Sequence, residues 1–276
     1  MNSYNILIVD DVIENLEIII SIIEEYYPEY NIYQADSGKT ALRVLARVTP
    51  DVILTDWDMP EMSGIDLILA LQESAITYNI PVIIVTGVML QPDDLKTATE
   101  AGAVDYIRKP VIAVELLARM HSAITIANNH KQLIKEKESA IIKNVVFTNE
   151  VNNYLSKLRA NISEAKNSIT DKDAVINLSK VLNDLDGKIK GSGWQKYTKT
   201  YNSLHPKFKK RVLMVHPDLT PKELELSEMI RLGLDTKELA GLMFVTQESM
   251  RVSRSRLRKK LKLQTAQNLQ SYLYSV

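Results

Sequence analysis

The chain has 276 residues, 45% of them hydrophobic, which is enough for two domains and a connecting segment. It contains no cysteine, so disulfide frameworks and thiolate metal sites are excluded. The N-terminus lacks the basic segment of a signal peptide, and the apolar runs are shorter than a bilayer requires. These features predict a cytoplasmic protein with no membrane partner.

The formal net charge of zero hides an uneven distribution along the chain. Residues 1–125 carry 7 Lys and Arg against 19 Asp and Glu. Residues 126–204 carry 13 against 8, and residues 205–276 carry 14 against 7. An acidic front and a basic back indicate two different tasks in one chain, and a basic terminal module favours a polyanion as partner.

Short apolar runs and amphipathic stretches alternate through the first 125 residues. The predicted strands are YNILIVDD, NIYQA, DVILTD, IPVIIVTG and VDYIRKP. The predicted helices between them cover residues 14–26, 38–47, 64–73 and 92–101. Strict alternation of strands and helices predicts an α/β fold, in which a doubly wound, five-stranded parallel sheet is covered by helices on both faces.

The pattern changes to a helical one near residue 111. No strong Gly or Pro break occurs from residue 113 to about residue 168, and eight of nine positions at a strict seven-residue spacing from 113 to 169 are apolar. This favours one long helix with a coiled-coil seam that joins two copies of the chain. The alternative is an ordinary fifth helix followed by a separate bundle helix. The sequence GSG at 191–193 is predicted to be a flexible joint.

The last third of the chain has an all-helical pattern. An aromatic stripe that begins at Trp194 has helical spacing and is more typical of a packed helix than of a base-stacking platform. A capping box with Pro at the first helical position starts a helix at Thr220, and further helices are predicted to start at Asp235 and Thr246. The short LMFV turn before Thr246 has the spacing of a helix-turn-helix.

Polar side chains stand at the ends of four of the five predicted strands. Asp10 and Asp11 follow the first strand, Asp56 ends the third, Thr86 ends the fourth and Lys109 ends the fifth. In an open parallel sheet these strand ends share one edge, where the binding site lies. Close carboxylates repel one another unless a positive charge sits among them, and oxygen-only ligands favour Mg²⁺. The set suits phosphoryl transfer onto an aspartate.

The segments ILIVDD, LTDWDMPEMSG, VIIVTG and DYIRKP resemble the receiver domain of two-component response regulators. The resemblance covers about residues 1–125. It implies that Asp56 is the phospho-acceptor and that a partner histidine kinase supplies the phosphoryl group. It also implies that Asp11, Asp56 and the backbone carbonyl of Asp58 bind Mg²⁺, with Asp10 nearby through water.

The same resemblance assigns three further positions. Thr86 and Lys109 match the phosphate-sensing residues of the family, and Tyr106 matches the aromatic residue whose rotamer changes on activation. Gly87 is a departure, because the family more often has Ala after the Thr. This departure removes no reactive group, so the resemblance implies a working receiver.

The helix that begins at Thr246 is strongly basic. Its basic residues are Arg251, Arg254, Arg256, Arg258, Lys259, Lys260 and Lys262. In a helix-turn-helix, the N-terminal part of the second helix enters the major groove, while basic residues contact phosphates. The candidate DNA contacts are Gln247, Glu248, Ser249, Arg251, Arg254 and Arg256. Three apolar residues are expected to face the core of the module: Met250, Val252 and Leu257.

The C-terminal segment resembles the LuxR/NarL-type DNA-binding domain over about residues 215–275. The resemblance lies in Leu-Thr-x-x-Glu at 219–223, Lys-Glu-Leu-Ala at 237–240, and a Thr-capped recognition helix with a basic tail. It implies double-stranded DNA as the partner. Two departures are the long connector before the module and Glu248, an acid on the expected DNA face.

The sequence therefore predicts a cytoplasmic response regulator with a receiver domain at 1–125, a helical or coiled-coil connector at 126–204 and a helix-turn-helix domain at 205–276. Phosphorylation is expected to shift the population toward an active state that binds DNA, as a homodimer. We expect no enzyme, since the C-terminal half has two histidines, both before Pro, and no catalytic carboxylate cluster. The alternative is a signalling adaptor whose helical half binds a protein or RNA.

Overall fold

The computed structural model describes residues 3–74, 76–87, 92–190, 194–264 and 266–276, apart from the side chains of residues 92, 95 and 190. It divides into two compact units, Met1–Leu133 and Ile134–Val276. The second unit combines most of the predicted connector with the predicted C-terminal domain. The predicted joint at 191–193 lies outside the described residues.

The first unit is built on a five-stranded parallel sheet with the strand order β2-β1-β3-β4-β5. The strands are β1 (Asn5–Val9), β2 (Asn31–Ala35), β3 (Val52–Asp56), β4 (Val82–Thr86) and β5 (Asp105–Arg108). The three inner strands are buried almost throughout, which their continuous apolar runs predict for strands covered on both faces. This order confirms the predicted doubly wound sheet and is the strand order of the flavodoxin-like fold.

Helices cover both faces of this sheet. They are α1 (Ile13–Tyr26), α2 (Gly38–Leu45), α3 (Gly64–Glu73), α4 (Pro92–Ala101) and the start of α5 (Ala113–Asn167). Because side chains alternate along a strand, Ile6 and Ile8 of β1 face one core, with α1 and α5, while Leu7 and Val9 face the other, with α2, α3 and α4. The two cores bury both faces of the sheet.

Helix α5 is continuous for 55 residues, which confirms the predicted long helix. Several residues of the predicted dimer seam are instead buried inside one unit or the other. Met120 lies in the core of the first unit, and Ile141 and Thr148 are buried in the second. Among the described residues, no helix combines the length and the apolar character needed to cross a bilayer.

The second unit is helical. After the C-terminal part of α5 it contains α6 (Lys172–Lys190), α7 (Gln195–Leu204), α8 (Phe208–Val215), α9 (Pro221–Arg231), α10 (Thr236–Leu242), α11 (Gln247–Lys260) and α12 (Leu269–Ser275). Helix α6 is tied to α5 by a two-pronged ion pair from Arg159 to Asp186, with N···O distances of 2.5 and 3.0 Å. The remaining helices share one hydrophobic core with Ile141 and Val145 of α5.

The aromatic stripe forms the centre of this core. Trp194, Tyr197, Tyr201 and Phe208 are all buried, and the ring of Tyr201 lies 5.7 Å from that of Trp194 and 6.1 Å from that of Phe208. The indole N–H of Trp194 donates to the buried carboxylate of Glu228 at 3.0 Å. Close edge-to-face packing of this kind confirms that the stripe packs a helical core.

Side-chain caps set the starts of the last helices. Thr220 caps α9 in a capping box with Pro at the start, and Asp235 caps α10 in a second box. Thr246 caps α11 by accepting a hydrogen bond from the backbone N–H of Ser249 at 3.1 Å. All three predicted helix starts are therefore confirmed. Four residues separate α10 from α11, and Phe244 among them adopts φ 53°.

The second unit is expected to lose stability in mild acid through His216. Burial, and then the charge of Lys262, lower the pKa of this imidazole below its ordinary value of about 6.5. Its Nε2 lies 2.5 Å from the hydroxyl of Tyr272, whose pKa is raised by burial. As the pH falls below about 6.5 the unfolded chain therefore takes up the proton first, and the free energy of unfolding decreases.

Denaturant unfolding at pH 7.5 and pH 5.5 measures this effect. His216→Gln removes the titrating group, so the variant should lose less stability between the two pH values than the unchanged protein. An equal loss in both proteins would show that His216 does not contribute to the acid sensitivity.

Candidate functional site

Asp10 is buried at the carboxyl end of β1, and both of its carboxylate oxygens accept hydrogen bonds. Its Oδ1 accepts from the backbone N–H of Val12 at 2.9 Å and from the amide of Asn15 at 3.0 Å. Its Oδ2 accepts from the ammonium of Lys109 at 2.7 Å. The first turn of α1 thus orients the carboxylate toward the centre of the edge.

Asp56 is buried at the end of β3, between β1 and β4 in the sheet. One carboxylate oxygen accepts from the backbone N–H of Asp58 at 2.7 Å, and the other is in direct contact with the ammonium of Lys109. Burial raises the pKa of Asp56, and its contacts with Lys109 only partly offset that rise. The site therefore makes its own negative charge costly, which favours the approach of a further positive group.

Lys109 follows β5 and bridges the two buried carboxylates. Its backbone N–H donates to the carbonyl of Thr86 at 2.8 Å, which fixes its position beside β4. Burial alone lowers the pKa of Lys109, but hydrogen bonds and charge from Asp10 and Asp56 outweigh it and raise the pKa. The amine therefore stays protonated, and one positive charge is shared between two negative ones.

The other predicted receiver residues lie around this group. Thr86 is buried at the end of β4, and Asp11 and Asp58 are exposed in the loops that follow β1 and β3. Tyr106 of β5 is half-buried, and its ring lies 5.9 Å from the guanidinium carbon of Arg119. Direct side-chain contact among the predicted residues joins Asp10, Asp56 and Lys109.

The donor set fits a hard cation that is bound by few side chains. Among the described residues, no three carboxylate or imidazole groups are clustered so as to hold a metal by themselves. Asp10, Asp56 and Lys109 leave a formal charge of −1, however, and each carboxylate has lone pairs beyond the contacts described. Magnesium is bound in proteins by one or two carboxylates with water completing its shell, so the residues present fit this ion.

Two residues support the site without having been predicted from the sequence. Asn15 holds Asp10 from the first turn of α1. Gly64 starts α3 so close to β3 that a Cβ atom at this position would lie 2.2 Å from the backbone carbonyl of Asp56. The signals available were an amide one turn after the Asp pair and a Gly directly after the Ser63 cap, but neither pattern is specific alone.

The candidate DNA contacts lie on α11. Five of the six are exposed: Gln247, Glu248, Ser249, Arg251 and Arg256. The sixth, Arg254, is half-buried and donates to the hydroxyl of Thr236 at 3.4 Å, so it joins α11 to α10. Arg251 and Glu248 form an ion pair of 3.0 Å, which contributes little to stability because both side chains are largely exposed.

The expected core face of α11 is partly wrong. Met250 and Leu257 are buried, but Val252 is 43% exposed. Val252 follows Met250 by two residues, which is a rotation of about 200° around the helix axis. Val252 therefore faces away from the core. Arg258 donates to the backbone carbonyls of residues 264 and 267, and Lys260 donates to the carboxylate of Glu223, so these two basic residues have structural contacts.

Comparison with known proteins identifies the first unit. Residues 6–121 match the family model described as the response regulator receiver domain. A probable cyclic di-GMP phosphodiesterase of Vibrio cholerae is 36% identical over 151 residues, which are 55% of this chain and 32% of that protein. The phosphate regulon transcriptional regulatory protein PhoB of Pseudomonas aeruginosa is 36% identical over 119 residues, which are 43% of this chain and 51% of that protein.

One of the solved structures similar to this chain is also a receiver domain. The receiver domain of a sensor histidine kinase from Pseudomonas aeruginosa, with a magnesium ion in its active-site cleft, is 26% identical, with a TM-score of 0.41. The match covers 45% of this chain and 99% of that one. The chain spans about half or less of the length of these two curated relatives. The N-terminal part of the chain is a response regulator receiver domain.

Replacing Gly64 with Ala should disturb this site through the backbone. The added methyl group would clash with the Asp56 carbonyl at 2.2 Å, so α3 or the end of β3 must shift. We expect a loss of about 1–3 kcal/mol in the free energy of unfolding, as is typical of overpacked positions. Denaturant unfolding of the full chain measures it.

Gly87→Ala is the matched control. A Cβ atom at Gly87 would approach the side chain of Lys109 no closer than 3.8 Å, which is an ordinary contact, so this variant should be about as stable as the unchanged protein. Equal stability of both variants would contradict the close packing of α3 on the end of β3.

Proposed function

We propose that the protein is a two-component response regulator that accepts a phosphoryl group on Asp56 from a partner histidine kinase. The observation that carries this proposal is the buried Asp56 carboxylate at the end of β3, in contact with a protonated Lys109 inside a receiver domain. In the transfer, a carboxylate oxygen of Asp56 forms a bond to phosphorus as the phosphorus–nitrogen bond to the kinase histidine breaks. The product is an aspartyl phosphate.

The magnesium site belongs to the same proposal. The carboxylates of Asp11 and Asp56 and the backbone carbonyl of Asp58 would hold the ion, with Asp10 acting through water. When bound, Mg²⁺ supplies positive charge to the oxygens of the transferred phosphoryl group. The shortage of positive charge at the site supports this assignment.

Lys109 and Thr86 are the proposed readers of phosphorylation. Once Asp56 is phosphorylated, its carboxylate no longer carries the charge that holds Lys109, and the ammonium can bind the phosphoryl oxygens instead. Because the backbone of Lys109 is hydrogen-bonded to Thr86, the two residues respond together. A rotamer change of Tyr106 is the proposed readout on β5.

Asp56→Asn should abolish phosphorylation. The amide lacks the nucleophilic oxygen anion, so incubation with a radiolabelled small acyl phosphate and Mg²⁺ should leave no acid-stable, base-labile label on the variant. Glu61→Gln is the control, because Glu61 is an exposed acid five residues away that pairs with Lys39, and this variant should be labelled as the unchanged protein is. Full labelling of the Asn variant would move the chemistry to another acid.

We propose double-stranded DNA as the partner of the second unit, which the protein would engage as a homodimer to control transcription. Support comes from α10 and α11, which are joined by a four-residue turn, and from the exposed polar N-terminal half and basic C-terminal half of α11. In this proposal α11 is the recognition helix. We propose no catalytic activity for this unit. A protein-binding adaptor is the second candidate, favoured by exposed apolar residues on α5.

Arg251→Ala should weaken DNA binding by about 1–3 kcal/mol if the side chain reaches a base edge, or lower the salt dependence by about one counterion if it contacts a phosphate. Binding of the phosphorylated protein to DNA from its own promoter region, titrated at several salt concentrations, distinguishes these outcomes.

Two variants sharpen this measurement. Glu248→Gln removes a negative charge from the same face and should strengthen binding, while Lys180→Ala on α6 removes an exposed charge elsewhere and should leave it unchanged. Loss of affinity in all three variants alike, or no affinity in the unchanged protein at low salt, would exclude α11 as the DNA-reading helix.

A further inference from the structure

An apolar stripe on α5 lies uncovered in the second unit. Phe147, Val151, Tyr154 and Leu158 are 65%, 38%, 68% and 37% exposed. Their spacings are four, three and four residues, which keeps them on one face of the helix. Apolar residues at this spacing form the seam along which two helices pack. Isolated exposed apolar residues are ordinary, but two aromatic and two aliphatic residues in one seam mark an interaction surface.

The seam is distinct from the one predicted from the sequence. That earlier seam contains Thr148, which is buried and hydrogen-bonded to Tyr197 at 2.8 Å, and Leu155 and Ile162, which are half-buried. These three residues flank the exposed seam on one side, where the protein's own chain covers them. The other side of the seam carries a row of exposed charged side chains of α5.

The charges of α5 on that side alternate in sign, and one of them, Glu150, also borders a cleft between α5 and α10. Lys143, Glu150, Lys157 and Glu164 are exposed and follow one another at seven-residue intervals. Glu150 directly precedes Val151, Lys157 directly precedes Leu158, and Lys143 and Glu164 continue the same row. Side chains in such a row border a helix–helix seam and determine the choice and direction of the partner helix. The series reads plus, minus, plus, minus along the helix.

This series is complementary to itself when it is reversed. We infer that the exposed face of α5 binds the same face of a second copy of this chain in antiparallel orientation. Across the two-fold axis, Glu150 then faces Lys157 of the partner subunit, and Lys143 faces Glu164 of the partner subunit. Every flanking pair joins opposite charges, and a two-fold axis produces each pair twice.

The apolar residues match in the same register. Val151 packs against Tyr154 of the partner subunit, and Leu158 packs against Phe147 of the partner subunit, so each layer joins one aliphatic and one aromatic residue. A parallel pair would instead direct the charged row toward the side of the partner that bears Leu155 and Ile162. That side is largely covered by its own chain, and its charged groups there are the mutually paired Arg159 and Asp186, so the alternating charges would meet no matching row of alternating charges.

The surface deepens the dimer included in the proposed function, but it requires neither DNA nor phosphorylation. Its test is therefore self-association alone, measured by sedimentation equilibrium of the full chain from 1 to about 100 µM. Lys157→Glu sets like charges opposite each other at both copies of this pair and should weaken the dimer at least tenfold. Glu150→Lys should act in the same way.

The double variant Glu150→Lys/Lys157→Glu is the decisive one, because it exchanges the signs and restores both pairs in the antiparallel register. Its dimer should regain most of the lost affinity. All four side chains of the charged row are exposed, so the fold should persist, and unchanged helical circular dichroism checks this.

Three results would overturn the inference. They are a monomeric unchanged protein at 100 µM, a dimer that the single reversals do not weaken, and single reversals that the double variant fails to rescue. The second result would leave a homodimer in place through another surface, so it would contradict this surface without contradicting the proposed function.

Discussion

The receiver depends on one ammonium group shared between two buried carboxylates. Asp10 and Asp56 end neighbouring strands of a parallel sheet, where burial alone would make two negative charges costly. Lys109 comes from the far edge strand to lie between them, anchored through its backbone to β4. One positive charge cannot balance two negative ones, so the site keeps a net negative charge that favours a further cation. In the proposed function, phosphorylation of Asp56 changes the charge that Lys109 contacts.

Packing around that group explains why it can act as a switch. Asp10 is fixed by α1 through Asn15, and the backbone of Asp56 is held against the start of α3 by the absence of a side chain at Gly64. The carboxylates are therefore rigidly placed. Lys109, by contrast, reaches the site on a flexible side chain, and its new contacts would be transmitted through β4 and β5. Two fixed carboxylates and one ammonium group on a long side chain are the parts that the proposed two-state switch requires.

The sequence predicted much of this from particular residues. Continuous apolar strands that end in Asp10, Asp56, Thr86 and Lys109 predicted both the sheet and the edge at which these residues meet, because strand ends in a parallel sheet share one side. Asn15 and Gly64 were missed since their roles depend on distances across the fold that local pattern does not encode. The coiled-coil periodicity of α5 predicted the long helix but did not show which face the second unit itself would cover.

Val252 illustrates the same limit within one helix. An apolar residue on a basic helix was assigned to the core by its chemistry, although its angle on the helix places it opposite Met250. The buried aromatic stripe from Trp194 was interpreted correctly because several residues with one spacing define a face, whereas one residue does not. Patterns of several residues determine which face is buried, and tertiary packing decides the rest.

The central claim is that phosphoryl transfer takes place on Asp56. In the most direct test, the protein is phosphorylated in the presence of Mg²⁺ and then treated with borohydride, which reduces an aspartyl phosphate to homoserine. Tandem mass spectrometry then locates the homoserine in the chain. The account predicts homoserine at position 56 alone. Homoserine at Asp10, Asp11 or Asp58 with none at Asp56 would contradict it.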